Sequence, residues 1–360
     1  MGKSANGPTR FAYELELFCQ EGGQRLGRRP VGEDHVQRLR EWVLFEAQRR
    51  GLAPADGSGS RVTEQPTFAG PLEGQIGGVT MSAGEGSQRV EAQFPISAFK
   101  SLADDFLLAM VQAREVEESR RVLYRVYARP MPEPTGNEVR AKVRRAPLPL
   151  EDGRLDDLLA RADRVGPEND NDYPLFVEEL ALPQAVSRSW AGPDMEGGAW
   201  LVGNLFRQQD PPEIYAVIHT VIQAVGLTAE KGKLDLGTQS YLHLQDQLQL
   251  RRQRMGRKGE LALGFVHSHP FLPSELDNQQ DCGQCAERST CTATSAFLSK
   301  RDGQFHAAVF AAAPYAVQMV LGLTPRNEFD LRMFCLEGGQ FRQRAYYRLG
   351  PAPAATAHQP

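Results

Sequence analysis

Two histidines spaced two residues apart, His267 and His269, close the apolar run Leu261-Ala-Leu-Gly-Phe-Val and stand directly before Pro270. In an extended strand, residues i and i+2 point to the same side, so both imidazoles can reach one ion. Downstream, Ser299 and Asp302 are three residues apart and share a face if that segment is helical. Two ring nitrogens and one carboxylate leave a fourth tetrahedral position open for water, which is the layout of a catalytic rather than a structural zinc. Upstream, Glu196 heads the segment Met195-Glu-Gly-Gly-Ala-Trp-Leu-Val-Gly203. Its glycines permit close approach of backbone or substrate, which makes Glu196 a candidate general base. A second Ser-x-x-Asp run, Ser274 to Asp277, leaves only four residues between His269 and Ser274. That turn is too tight to bring Asp277 back to the ion, so Ser299 and Asp302 are preferred.

A third group of reactive side chains is Cys282-Gly-Gln-Cys285-Ala-Glu-Arg-Ser-Thr-Cys291. The first pair has the spacing at which two thiolates of a structural zinc site reach one ion. The reading is a small metal-stapled loop beside the active site, in which Cys282, Cys285 and Cys291 hold a second metal. A fourth ligand would come from Asp281, His306, Cys335 or Cys19. Free thiols and a redox site are the alternatives. Five cysteines, an odd set with three crowded together, suit a reducing compartment better than a disulfide framework.

His-Ser-His-Pro, Leu-Ser-Lys-Arg-Asp and the Glu-Gly-Gly…Leu-Val-Gly segment stand in the order seen in the JAB/JAMM/MPN-type zinc isopeptidases, and residues 178 to 348 resemble that family. The resemblance implies that His267, His269 and Asp302 bind Zn²⁺, that Glu196 acts as general base on the attacking water, and that Ser299 stabilises the oxyanion. It implies a cytidine-deaminase-like α/β sheet flanked by helices. It also implies hydrolysis of an amide or isopeptide bond at the C-terminus of a ubiquitin-like protein, with E1-like and E2-like conjugating enzymes as further partners. One departure is plain: 29 residues, 270 to 298, separate His269 from Ser299, where about seven are usual in the family, and the excess contains the three cysteines. A non-catalytic MPN-like scaffold and a zinc amidase or peptidase on an unrelated substrate remain as alternatives.

The elements that must carry these residues can be read from periodicity. Apolar residues at Phe11, Tyr13, Leu15 and Leu17 alternate with polar ones, so the chain opens on a half-buried strand. Val36, Leu39, Trp42, Val43 and Ala47 share one face of a helix over 34–50, which Gly51 stops. Strands over 88–96 and 122–129 flank a helix striped by Phe99, Leu102, Phe106, Leu107 and Met110, a core face rather than a cofactor pocket. Further on the pattern predicts a helix at 182–190, strands at 199–206 and 214–224, a helix entered from Leu242 that ends in the basic run Arg251 to Lys258, and a strand over 305–323. The basic run reads as a solvated helix end. His219 reads as a satisfied strand histidine, His243 and His306 likewise, and His35 and His358 as exposed.

At about 150 residues per core, 360 residues make about two domains. Pro, Gly, Asp and Asn crowd 130–153 and 166–173, which places the boundary near 165. The expected organisation is an N-terminal α+β domain over 1–165, a JAB/JAMM domain over 166–349, and a disordered Pro/Ala-rich tail over 350–360. Lys and Arg number 41 against 45 Asp and Glu, a formal charge of −4 that lacks the basic field of a nucleic-acid binder. The most apolar stretch, 307–323, is broken by Pro314 and Gln318, too short for a membrane helix of ~20 residues. The opening Met-Gly-Lys-Ser-Ala-Asn has no apolar signal core and carries Asn6 where a myristoylation signal takes Ser or Thr, so a cytoplasmic location is expected.

Overall fold

The computed structural model describes residues 10–56, 60–117, 119–131, 147–167, 169, 171–230, 233–275, 282 and 285–350. The expected tail, from 351 onward, lies outside them. Two compact units divide the chain: one comprises residues 1–147 with 337–340, the other 148–336 with 341–360. The division falls upstream of the expected position near 165, because the segment from 148 to 165 contributes two strands to the second sheet.

The first unit is an antiparallel sheet with two helices. Its strands are β1 (Phe11–Cys19), β2 (Arg25–Pro30), β3 (Val62–Phe68), β4 (Gln75–Glu85), β5 (Gln88–Pro95) and β6 (Val122–Pro130), in the order β2-β1-β6-β4-β3 with β5 on β4. Helices α1 (Glu33–Arg49) and α2 (Lys100–Gln112) complete it. Tyr13, Leu15 and Leu17 of β1 are buried with Val36, Leu39 and Val43 of α1, as the two periodicities require. Gly51, at φ 68°, ends α1 in the left-handed conformation that a Cβ disfavours. One expectation is overturned: His35 is 3% exposed, not solvated, because it lies on the face of α1 that meets Phe99, ring centroids 5.3 Å apart.

The second unit is built on one mixed sheet. Its strands are β7 (Leu150–Asp152), β8 (Ala162–Val165), β9 (Leu175–Glu178), β10 (Gly198–Gln208), β11 (Glu213–Gln223), β14 (Leu261–Ser268), β15 (Val317–Leu323), β16 (Phe329–Glu337), β17 (Gln340–Arg344) and β18 (Tyr346–Leu349). Their order is β17-β16-β15-β14-β10-β11-β9-β18-β8, with β7 beside β10. A separate hairpin joins β12 (Leu227–Glu230) to β13 (Lys233–Leu236). The helices are α3 (Leu155–Leu159), α4 (Ala181–Ser189), α5 (Thr238–Met255) and α6 (Lys300–Val309). Trp200 and Phe265 pack with Leu244 of α5 and Phe305 and Phe310 of the α6 region. On the other face, Ser268 hydrogen-bonds the carbonyl of Ser189 at the end of α4.

Strands β10 and β14 are antiparallel, whereas β14 and β15 are parallel and joined through α6. Parallel neighbours require such a crossover, and its residues gather at the carboxyl end of β14. The expected strand over 305–323 is helix at its start, since α6 runs to Val309, and strand only from Val317. The Ser299–Asp302 capping box starts a helix there, and Ala-rich sequence sustains it until the turn before Pro314. His306 accordingly sits on a helix, as does His243. The run after Arg251 is not wholly solvated: Arg251 donates to both oxygens of Glu260, at 2.7 and 2.9 Å. His219 is the satisfied strand histidine expected, with Nε2 at 2.9 Å from Asn204 Oδ1 and 3.3 Å from Glu260 Oε1. No helix among the described residues is long and apolar enough to cross a membrane.

Two outcomes follow from this packing. A Cβ on Gly322 of β15 would lie 2.1 Å from Ala296 N and 2.5 Å from Ser295 C, both backbone. Gly322→Ala is therefore expected to cost roughly 1–3 kcal/mol in denaturant unfolding, as overpacking typically does. Burial lowers His35 and His219 from 6.5 to about 4. Between those values the unfolded chain binds more protons than the folded one, so their contribution to stability is whole above pH 6.5 and is lost as pH falls toward 4. Unfolding curves collected from pH 7 to 4 are expected to show that loss, with a shallower slope in His35→Gln and in His219→Gln.

Candidate metal centre

The site is assembled from the carboxyl end of β14 and the first turn of α6. Phe265 and His267 fall on one face of β14, and His269 follows two residues later. Its N–H donates to Leu321 O at 2.8 Å, which carries the β14–β15 pairing past the end of the strand. His267 and His269 are 2% and 3% exposed, and their Nε2 atoms are 3.2 Å apart. Asp302 Oδ1 lies 3.2 Å from His267 Nε2, and Oδ2 lies 3.6 Å from His269 Nε2. Among the described residues these three form the only group of three or more His, Cys, Asp or Glu side chains whose ligand atoms converge, all within 4.8 Å of one another.

His269 and Asp302 are held from behind. His269 Nδ1 donates to the carbonyl of Ser295 at 2.8 Å, which leaves the Nε2 lone pair directed at the other two donors. The ring of His269 stacks at 19° on Phe271 and tilts against Phe297, at centroid distances of 5.2 and 4.9 Å. Ser295, fully buried, receives Leu323 N–H on Oγ at 2.8 Å and so fixes its carbonyl against the sheet. Asp302 is N3 of α6: Oδ2 accepts Ser299 N–H at 2.8 Å, and Ser299 Oγ accepts Asp302 N–H at 3.2 Å. Burial alone pushes the Asp302 carboxyl up, but the charge and hydrogen bonds of His267 and His269 outweigh it and hold it well below the usual carboxylate range.

Glu196, 4% exposed, forms an isolated antiparallel bridge with Trp190. Gly198 pairs with His267, and Gly197 exchanges hydrogen bonds with Ser268, N–H to Oγ and O to N–H, both 3.0 Å. Glu196 stands two residues before Gly198, the first residue of β10. Ser299 is the N-cap of α6 with its hydroxyl used as an acceptor, so its proton is left to donate. The donor set, two imidazole Nε2 atoms and one carboxylate, fits zinc with an open position. Ser274 serves elsewhere, accepting Cys282 N–H at 3.2 Å, and Asp277 lies outside the described residues.

Cys282 is buried, Cys285 half-buried and Cys291 exposed, and among the described residues they belong to no group of three or more converging ligand atoms. Between Cys285 and Cys291 a turn is closed by Arg288 N–H to Cys285 O at 3.2 Å and Cys291 N–H to Glu287 O at 2.9 Å. Asp281 lies outside the described residues, and Cys19 belongs to the first unit. Three residues that matter escaped sequence reading: Ser268, Ser295 and Gly322. A serine or glycine at a strand end carries no local signal of the partner it will meet.

Two histidines and an aspartate at the carboxyl end of a strand, backed by fixed tautomer and capping contacts, define a metallohydrolase-type centre. Residues 181–321 match the family of prokaryotic homologs of the JAB domain, so this part of the chain is a prokaryotic JAB domain with a JAMM-like centre at His267, His269 and Asp302. No curated protein matches the chain. Among solved structures, that of a Desulfitobacterium hafniense protein determined in solution is similar at 14% identity, covering 51% of this chain and 99% of that one at a TM-score of 0.31.

Metal analysis of reduced protein equilibrated with zinc is expected to give one equivalent that is absent from His267→Ala and Asp302→Ala. The loss in affinity should exceed the ~10- to 100-fold typical of removing a partner behind a ligand. A further equivalent that survives both substitutions would locate a second metal at the cysteines.

Proposed function

We propose that the protein is a zinc-dependent peptidase or isopeptidase that cuts at the C-terminus of a ubiquitin-like protein, in a conjugate or a precursor. The observation that supports hydrolysis is the convergence of His267, His269 and Asp302, with Glu196 buried two residues before the start of the neighbouring strand β10. Zinc in that donor set supplies Lewis acidity and makes water nucleophilic at neutral pH.

The chain's own residues account for the rest of the reaction. Glu196 lies on a different segment from the three donors, which suits a base that removes a proton from the attacking water and returns it to the departing amine. Ser299 donates its hydroxyl proton to the oxygen that gains charge as the amide carbon is attacked. Its place at the N-cap of α6 fixes that oxygen by the hydrogen bond from Asp302 N–H, so little reorganisation is needed during the reaction. The choice of a ubiquitin-like substrate is supported by the JAB domain together with the order of the Glu, His-x-His-Pro and Ser-x-x-Asp motifs. The first unit, with a core of its own, is proposed to recognise that substrate or to dock an E1-like or E2-like enzyme.

The test offers wild type, Glu196→Gln and Ser299→Ala a ubiquitin-like protein fused at its C-terminus to a reporter, with zinc counted in each. Glu196→Gln is expected to keep its zinc and lose ~10²- to 10⁴-fold in rate. Ser299→Ala is expected to lose ~10²- to 10³-fold, and about 1 kcal/mol of stability with the cap. A zinc-loaded wild type that cuts no such fusion would favour a scaffold or a zinc amidase with another substrate.

A further inference from the structure

A cavity of ≈ 320 Å³ opens beside the metal centre, with His267 and Asp302 in its lining. Its floor is Phe265, two residues before His267 on the same face of β14. One wall is Leu234 and Leu236 of the β12–β13 hairpin, and the other is Phe305 and Ala308 of α6. We propose that this cavity receives a bulky apolar side chain, leucine- or phenylalanine-like, of a substrate residue flanking the bond that is cut. The inference rests on the hydrolase reading above and adds a side-chain preference to it.

Three features carry the assignment. First, the cavity is lined by two aromatic rings and two leucines although it abuts a polar centre, and pockets of this size with apolar walls and a few fixed polar groups bind apolar ligand parts. Second, the charged groups in its lining apart from the metal donors, Asp235 and Arg301, bind each other across the opening between β13 and α6. Their mutual neutralisation leaves the entrance without a net charge to attract an acidic or basic side chain. Third, the strand behind the cavity is thinned by Gly198, where a Cβ would stand 2.4 Å from Phe265 Cζ and 3.2 Å from Leu234 Cδ2. A Cβ there would force Phe265 to shift and crowd Leu234, both of which line the cavity.

Burying a leucine or phenylalanine side chain against such walls raises affinity about tenfold or more over glycine. Amino-acid hydroxamates engage zinc through the same atoms whatever their side chain, so their relative affinities report on the cavity. Calorimetric titration of the zinc-loaded full chain is expected to give leucine and phenylalanine hydroxamates about tenfold tighter than glycine hydroxamate, with aspartate hydroxamate no better than glycine. Ala308→Trp, at the exposed rim, fills the space and is expected to erase that preference, with zinc content measured in parallel. Equal affinities across the series, or a preference that survives Ala308→Trp, overturns the cavity assignment. A chain that takes up no zinc overturns the metal reading instead. In that case the N-acetyl amides of the same residues still decide the cavity, since the leucine and phenylalanine amides must shift the ring resonances of Phe265 and Phe305 more than the glycine amide does.

Discussion

Asp302 is held by two sets of contacts at once, and the rest of the site depends on their agreement. Its carboxylate closes the capping box of α6 through Ser299 N–H and also faces the Nε2 atoms of both histidines. The capping contact is a local matter, worth about 1 kcal/mol for the helix. The contacts with His267 and His269 are long-range, and they require α6 to start within a few ångströms of the end of β14. A helix that began one residue earlier or later would turn Asp302 away by about 100°. The helix start is thus the device that fixes the third ligand, and Ser299 reaches the centre as a by-product of being its cap.

The histidines depend on a second set of constraints, carried by the sheet. Residues 267 and 269 stand on one face of an extended chain, while the residue between them, Ser268, faces the opposite side and binds both Ser189 and Gly197. One serine therefore ties helix α4, strand β14 and the segment that bears Glu196 into one register. On the other side, Ser295 links the His269 ring to the end of β15, and Gly322 leaves room for that backbone to approach. The long segment between His269 and Ser299 passes through this Ser295 contact before α6 begins.

The three metal donors were legible in the sequence because each piece that carries them is a short-range pattern: His-x-His at a strand end and Ser-x-x-Asp at a helix start. Most of the elements were legible for the same reason, including β1, α1, β10, β11 and the helix before β14. Strands β2, β3 and β4 were not read. β2 is rich in arginine at a sheet edge, and β3 is mostly polar with a proline, so alternation is weak in both, whereas in β4 the alternating Val79, Met81 and Ala83, all buried, went unread beside its glycines. His35 was misread because exposure was judged from polarity, whereas the face of α1 decided it. The domain boundary was displaced because β7 and β8 are three and four residues long, and such strands are defined only by the partners they find in the second sheet.

The sequence by itself determined which side chains can bind a metal, since residue type and spacing along one strand or one helical turn are written in adjacent letters. It also determined that the chain has two cores, through its length and the alternation of its apolar residues. Only the tertiary structure decided that the three donors meet. It also decided that a cavity lined by Leu234, Leu236, Phe265 and Phe305 opens beside His267 and Asp302. Each of these depends on contacts between residues distant in sequence, where register, helix start and the space left by a glycine set positions to within an ångström or two, a precision that no local pattern carries.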